Sequence, residues 1–167
     1  NMYNLIRNAT LQISDMNKNY ISMRLIKSEE ELSWIKIGAA MTDNGISSMV
    51  NNIQPGITQH ELSHSTQSAY IPLGGNKVIN FFGITPMDNP NNCVPSQFTS
   101  NQKIKKNDII STEISAHFWN YPGQILRTIS LGPMTSIYKE LHAVADEVFL
   151  NIRSLLKDGT HASEIIE

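Results

Sequence analysis

The sequence has few of the features that mark specialised classes of protein. Its single cysteine, Cys93, excludes an internal disulfide, which suits a reducing compartment and predicts a cytoplasmic location. The net charge is −2 and no cluster of lysine and arginine occurs, so no nucleic-acid partner is expected. No apolar run approaches the roughly 20 residues that cross a bilayer, so no membrane partner is expected. Residues 1–19 lack the basic and apolar segments of a signal peptide.

The composition is typical of one globular domain with its own core, since 40% of the 167 residues are hydrophobic and 17% are charged. Two capping boxes predict where helices begin. In the first, Ser28 and Glu31 open an amphipathic helix that reaches Ile53. In the second, Thr58 and Glu61 open a helix that reaches about residue 70.

The second half of the sequence predicts strands and then a long helix. Strands are expected over 78–82, 109–118 and 124–131, with a loop over 83–100 and a turn over 120–123. A helix is expected over 136–156. Its apolar residues recur at helical spacing and predict a buried stripe formed by Ile137, Leu141, Val144, Val148, Ile152 and Leu155. Partial helical spacing of Leu5, Ile6, Ala9, Leu11, Ile13 and Met16 predicts a tail or linker helix within 1–23, left from a preceding region.

A short internal repeat indicates a duplicated domain. Residues 53–62 match residues 156–165, and each copy follows a long helix and contains a glycine break before an acidic helical turn. The second copy starts just before the chain ends. Residues 24–167 are therefore expected to hold one complete repeat and the start of another.

Two potential catalytic motifs have simpler explanations. His60, Glu61 and His64 match the H-E-x-x-H zinc motif, but Glu61 already serves as the capping partner of Thr58 and no third ligand follows in a convincing pattern. A lone cysteine such as Cys93, with no patterned base, is interpreted as inert. Neither motif is expected to carry the activity.

A longer set of motifs resembles the pita-bread family, which contains methionine aminopeptidases, prolidases, proline aminopeptidases and creatinase. The motifs, in chain order, are residues 24–28, Pro55 to Glu61, Asn107-Asp108, Trp119-Asn120-Tyr121 and Arg127-Thr128. The family has a duplicated core, in agreement with the repeat. The resemblance implies an α/β (α+β) fold, here half of a pita-bread domain, in which helices cover one face of a curved and mostly antiparallel sheet.

The resemblance also locates a site on the hairpin. In metal-dependent members, two aspartates eleven residues apart bind a dinuclear metal, and the matching positions here are Glu113 and Gln124. No histidine occurs over 84–107, where the family places one. These departures predict no metal and no cofactor. Manganese, cobalt or zinc is expected only if the protein is an ordinary metallopeptidase with unusual ligands.

Creatinase is the branch that the hairpin resembles most, and it implies a metal-independent hydrolase that cleaves the C–N bond of an amide, peptide or guanidino compound. Glu113 and Gln124 would bind the substrate and Arg127 would brace the site, so these are the expected catalytic residues. His117 and Tyr121 are the expected substrate-binding residues. An acid–base pair of Glu113 and His117 is an alternative to a merely exposed His117.

The expected partners are a small-molecule or short-peptide substrate and a second copy in a homodimer. Two other functions stay open: a non-catalytic pita-bread protein that uses its pocket for binding, and the metallopeptidase already mentioned. The remaining family ligands would lie in the second repeat, so the 167-residue chain alone is expected to be inactive.

Overall fold

The computed structural model describes residues 14–92 and 94–166. Its elements in chain order are α1 (Asn17–Leu25), α2 (Glu29–Asn52), α3 (Gln59–Ser68), a 3-10 helix (Ile71–Leu73), β1 (Asn76–Pro86), β2 (Asp108–Phe118), β3 (Tyr121–Ser130), α4 (Ser136–Leu155) and α5 (Ala162–Ile166). Cys93 and most of the helix expected near the amino end, from Leu5 to Ile13, lie outside the described residues.

The strands form one antiparallel sheet in the order β1-β2-β3. The expected α/β class with an antiparallel sheet is therefore confirmed. Two boundaries are wrong. β1 continues to Pro86, through residues expected to start a loop, because its pairing with β2 extends to Pro86 opposite Asp108. Proline is tolerated there because β1 is an edge strand and Pro86 is its last residue. β3 begins at Tyr121, inside the turn expected over 120–123, because Tyr121 already pairs with Phe118.

Both predicted capping boxes are confirmed. The Ser28 backbone N–H donates to Glu31 Oε2 at 2.7 Å, and the Glu31 N–H donates to Ser28 Oγ at 3.2 Å. Thr58 and Glu61 repeat this exchange at 2.7 and 3.2 Å. Each exchange satisfies two backbone donors that the first helical turn would otherwise leave unpaired.

Helix α2 contacts the sheet through small residues. A Cβ atom on Gly123 would lie 2.3 Å from Cα of Ala39, and one on Gly38 would lie 2.7 Å from the carbonyl oxygen of Tyr121. The apolar pattern of the sequence predicted the helix correctly but missed these contacts. The buried residues of α2 are Gly38, Met41, Thr42, Gly45 and Met49.

A threonine hydroxyl joins α2 to both neighbouring strands. Thr42 Oγ1 accepts from the N–H of Ala116 at 3.0 Å and lies 2.5 Å from the carbonyl oxygen of Gly123, to which it can donate. Ala116 and Gly123 face each other across β2 and β3. The hydroxyl is therefore placed between a donor and an acceptor of the same strand pair, which fixes the helix against the hairpin.

The main core lies between the sheet and helices α2 and α3. It contains fully or almost fully buried apolar side chains from both layers, namely Met49, Leu62, Phe82, Ile84, Ile104, Ile110 and Ile114. Ile104 comes from the loop before β2, so this loop is anchored in the core.

The predicted buried stripe of α4 is wrong. Its six side chains are all at least one-third exposed, from 37% for Ile152 to 60% for Ile137. The periodicity identified the apolar face correctly, but within the described ranges α4 packs mainly against the short helix α5. None of the helices described is both long and apolar enough to cross a membrane.

The two copies of the repeat share local geometry. Gly56 and Gly159 both have positive φ angles, 102° and 86°. After each glycine a glutamate accepts from the backbone N–H three residues before it, Glu61 from Thr58 and Glu164 from His161. Equivalent positions of the repeat thus form the same turn and the same cap.

Candidate functional site

The sheet has two different faces, and strand alternation assigns each hairpin residue to one of them. On β2, Ile110, Ile114 and Ala116 face helices α2 and α3. The intervening residues therefore lie on the opposite face, here called the distal face. Its β2 members are Ile109, Ser111, Glu113, Ser115 and His117, and Gln124 joins them because it pairs directly with Ser115.

Glu113 and Gln124 meet on the distal face. The Gln124 side-chain amide donates a hydrogen bond to Oε1 of Glu113. The two residues are diagonal neighbours across the hairpin, since Glu113 pairs with Leu126 and Gln124 pairs with Ser115. The structure thus brings together the two residues that match the family's metal-binding positions, and their expected contact with substrate stays a prediction.

This pair does not fit a divalent metal of the kind that two carboxylates hold. Glu113 supplies one carboxylate, and Gln124 offers a neutral amide whose N–H group already occupies a carboxylate oxygen. Within the ranges that the structure describes, no three histidine, cysteine, aspartate or glutamate side chains cluster closely enough to form a metal site.

Ser115 belongs to the same face and was missed from the sequence. Its side chain is fully buried, and its hydroxyl has no hydrogen-bond partner among the described residues. Unpaired buried hydroxyls are uncommon in folded proteins and call for an explanation. Alternation would have identified Ser115, because it lies midway between Glu113 and His117 on one strand face.

His117 shares the distal face without contacting Glu113. Four residues of extended strand separate the two by about 13 Å, and Glu113 is instead bonded to Gln124. Burial lowers the pKa of His117, because it disfavours the charged imidazolium. The geometry does not bring together the acid–base pair considered from the sequence.

Arg127 lies on the face that the helices cover. It pairs with Thr112 rather than with a distal residue, and its guanidinium donates to the carbonyl of Leu126 at 2.7 Å. Its expected role in bracing Glu113 stays a prediction that this placement does not favour.

Tyr121 is also on the helix side. Its hydroxyl donates to Glu31 Oε1 at 2.5 Å, and its ring lies 5.3 Å from that of Trp34. This hydrogen bond raises the pKa of Tyr121 and lowers that of Glu31. Tyr121 therefore fastens the hairpin to α2, and its expected contact with substrate stays a prediction.

The H-E-x-x-H segment behaves as the capping interpretation requires. The Glu61 carboxylate accepts from both the backbone N–H and the hydroxyl of Thr58, which lowers its pKa. The hydrogen bonds of Glu61 thus complete a helix cap and do not place it as a base beside a metal.

Comparison with known proteins decides the family. The model of metallopeptidase family M24 matches residues 33–167. The chain belongs to metallopeptidase family M24. The predicted pita-bread relationship is therefore confirmed.

Solved structures and curated relatives of family M24 agree with this assignment. A variant of Escherichia coli aminopeptidase P, solved in complex with substrate, superimposes with a TM-score of 0.79 at 20% identity over 91% of this chain and 34% of the other. Prolidase from Pyrococcus furiosus gives 0.74 at 17% identity over 83% of this chain and 41% of the other. The Xaa-Pro dipeptidase of Pyrococcus horikoshii is 23% identical over 86% of this chain and 40% of its own length. The chain thus spans about 40% of such a relative.

Proposed function

We propose that this chain forms part of an M24-type hydrolase that cleaves a C–N bond without the dinuclear metal of its metallopeptidase relatives. The observation that carries the proposal is the hydrogen bond from Gln124 to Glu113, at two positions that resemble the family's metal-binding aspartates. A peptide, a small amide or a guanidino compound is the proposed substrate class. The relatives named as prolidase and aminopeptidase P support a peptide.

In this proposal Glu113 is the base. Its carboxylate takes a proton from a water molecule while the water oxygen bonds to the electrophilic carbon of the substrate, and the C–N bond breaks as that proton passes to the leaving nitrogen. Gln124 would orient Glu113 and offer its carbonyl oxygen to a substrate N–H. Glu113 is half-buried and Gln124 is exposed, so a ligand can reach the pair.

A second candidate is a binding protein without catalysis. It is favoured by the placement of Arg127 and Tyr121 on the helix side, which leaves Glu113 and the distant His117 as the titratable groups on the distal strand face of β2. A binder of peptides or amides would use the same Glu113–Gln124 pair without turnover.

The test combines metal binding with hydrolysis. Binding of Mn²⁺ to a form of the protein that carries both repeats is measured by paramagnetic broadening of the Glu113 and Gln124 side-chain signals, with Glu140→Gln as the control for an exposed carboxylate. We expect no site-specific broadening. Stoichiometric Mn²⁺ that Glu113→Gln removes would refute the metal-independent proposal.

Hydrolysis is assayed with a form of the protein that carries both repeats, on Xaa-Pro dipeptides and simple amides, with and without EDTA. We expect activity that EDTA leaves unchanged and that Glu113→Gln reduces by roughly 100-fold or more, the range of a general base. Binding of substrate without turnover would instead establish the non-catalytic function.

A further inference from the structure

A second site is suggested by a groove on the helix side of the sheet. It has a volume of about 490 Å³ and lies between α3, the 3-10 helix and the start of β1. Its polar lining includes His60, His64, Gln67, Ser68, Lys77 and Thr99. The volume is within the range of small-molecule sites, and the Glu113–Gln124 pair lies on the other face of the sheet.

The two imidazoles are oriented by hydroxyl groups. His60 and His64 are one helical turn apart, so they lie on the same side of α3. The Nδ1 atom of His60 is 2.8 Å from Thr99 Oγ1, and Nε2 of His64 is 3.4 Å from Ser68 Oγ. One ring nitrogen of each imidazole is thus engaged, and the other is available to a ligand.

The charges around the imidazoles favour an anion. The groove lining contains Lys77 and no carboxylate. The nearby acid on α3, Glu61, is held by the backbone and hydroxyl of Thr58, and the positive charge of Lys103 acts on it. The groove therefore offers the Lys77 ammonium and imidazole N–H groups to a ligand, with no carboxylate in its lining.

A metal ion fits the groove less well. Two histidines at this spacing can bind a transition metal, but structural zinc takes four ligands and catalytic zinc three from the protein. Lys77 would repel a cation, and no third histidine, cysteine or carboxylate joins the pair within the described ranges. Cationic N–H groups beside hydroxyls instead form the charge-assisted hydrogen bonds that suit an oxyanion.

We propose that the groove formed by His60, His64 and Lys77 binds a small oxyanionic group, a phosphate or a carboxylate. This site is independent of the proposed hydrolase function. The H-E-x-x-H segment is explained by it: the glutamate caps the helix, and the histidines face the ligand.

The first experiment uses inorganic sulfate as the oxyanion. Sulfate is titrated into the 167-residue chain at constant ionic strength while the ring signals of His60 and His64 are followed by NMR. We expect saturable shifts of both sets of ring signals. Linear shifts equal to those of His142, outside the groove, would overturn the proposal.

Variants then test the three groups. His60→Gln with His64→Gln, and separately Lys77→Met, should each weaken sulfate binding roughly fivefold or more. His142→Gln and Lys106→Met, exposed positions elsewhere, are the matched controls and should leave affinity unchanged. Circular dichroism checks that every variant is folded. Equal losses from the controls would show that only the overall charge matters and would overturn the proposal.

Two further titrations identify the ligand. Phosphate and acetate are compared at about pH 6. Tighter binding of phosphate than of acetate indicates that the ligand is a phosphate ester, whereas equal affinity for the two anions indicates a carboxylate. Zn²⁺ is titrated separately. Saturation of the histidine pair by Zn²⁺ at concentrations below those needed for either anion would replace the anion site by a metal site.

Discussion

Replacement of Gly38 by alanine tests how closely α2 must approach the hairpin. The new Cβ atom would lie 2.7 Å from the carbonyl oxygen of Tyr121 and 3.0 Å from the N atom of Gly123. Both are backbone atoms of β3, so neither can rotate away, and the helix must move. Overpacking of this kind costs about 1–3 kcal/mol, and contact with two backbone atoms of β3 places it near the upper end.

The helix itself gains from the same substitution, since alanine is more favourable than glycine in a helix interior by about 1 kcal/mol. We therefore expect Gly38→Ala to lower the free energy of unfolding by about 2 kcal/mol, measured by urea denaturation. The expected loss is large enough to detect in a protein of this size.

Gly45 supplies the matched control because it lies in the same helix. A Cβ atom there would be 3.3 Å from the ring of Tyr70 and 3.4 Å from the carbonyl oxygen of Thr66, so the overlap is smaller than at Gly38. Gly45→Ala should be neutral or slightly stabilising, and the difference between the two variants cancels the helix propensity. A difference below about 0.5 kcal/mol would refute the argument that backbone contact at Gly38 limits the approach of the helix.

Three other changes test separate features. Thr42→Val should cost about 2–3 kcal/mol in urea denaturation, since it leaves two buried backbone groups unpaired, and Thr42→Ser should restore most of that loss. Tyr121→Phe should raise the pKa of Glu31 in an NMR titration. Because the pKa of Glu31 is lowered in the folded chain, its carboxylate stabilises the fold, and this stabilisation is lost as the pH falls below about 4.5. The variant should lose less stability over the same pH range. Leu141→Glu with Val148→Glu should reduce concentration-dependent association in analytical ultracentrifugation, since both side chains are exposed.

The helix starts were predictable from the sequence because capping is local. Ser28 and Glu31, like Thr58 and Glu61, are three residues apart, so the chain itself brings each pair together. The antiparallel hairpin was predictable for a similar reason, since alternation and a short turn set its pairing.

Helix packing was harder to predict because it depends on glycines and on residues with small side chains. Apolar periodicity gives weight to large residues, whereas α2 meets the sheet through Gly38, Ala39 and Thr42. The pattern in α4 shows the complementary limit. It identifies the face that favours burial, but the residues that would cover this face must come from elsewhere in the structure.

For the candidate site, the spacing of residues along the sequence identified the Glu113–Gln124 pair, but the alternation of side chains between the two faces of a strand was overlooked. Glu113 and Gln124, matched to the family by their eleven-residue separation, meet across the hairpin. Arg127 is three residues from Gln124 on the same strand, and residues an odd number apart face opposite sides. The sequence therefore contained the information that separates Arg127 from the pair, as it did for the placement of Ser115 beside Glu113.

The hydrogen bond between Gln124 and Glu113 also bears on which ligands the proposed hydrolase would accept. A ligand that binds at Oε1 of Glu113 displaces the amide N–H of Gln124 from that atom. A ligand with its own N–H group replaces one donor by another, whereas an ester leaves the half-buried carboxylate short of a donor, at a cost of about 1–3 kcal/mol. Amide and ester inhibitors of matched shape should therefore differ in affinity by roughly five- to a hundredfold. Gln124→Ala should reduce this difference, and an unchanged preference in that variant would show that Gln124 does not compete with the ligand.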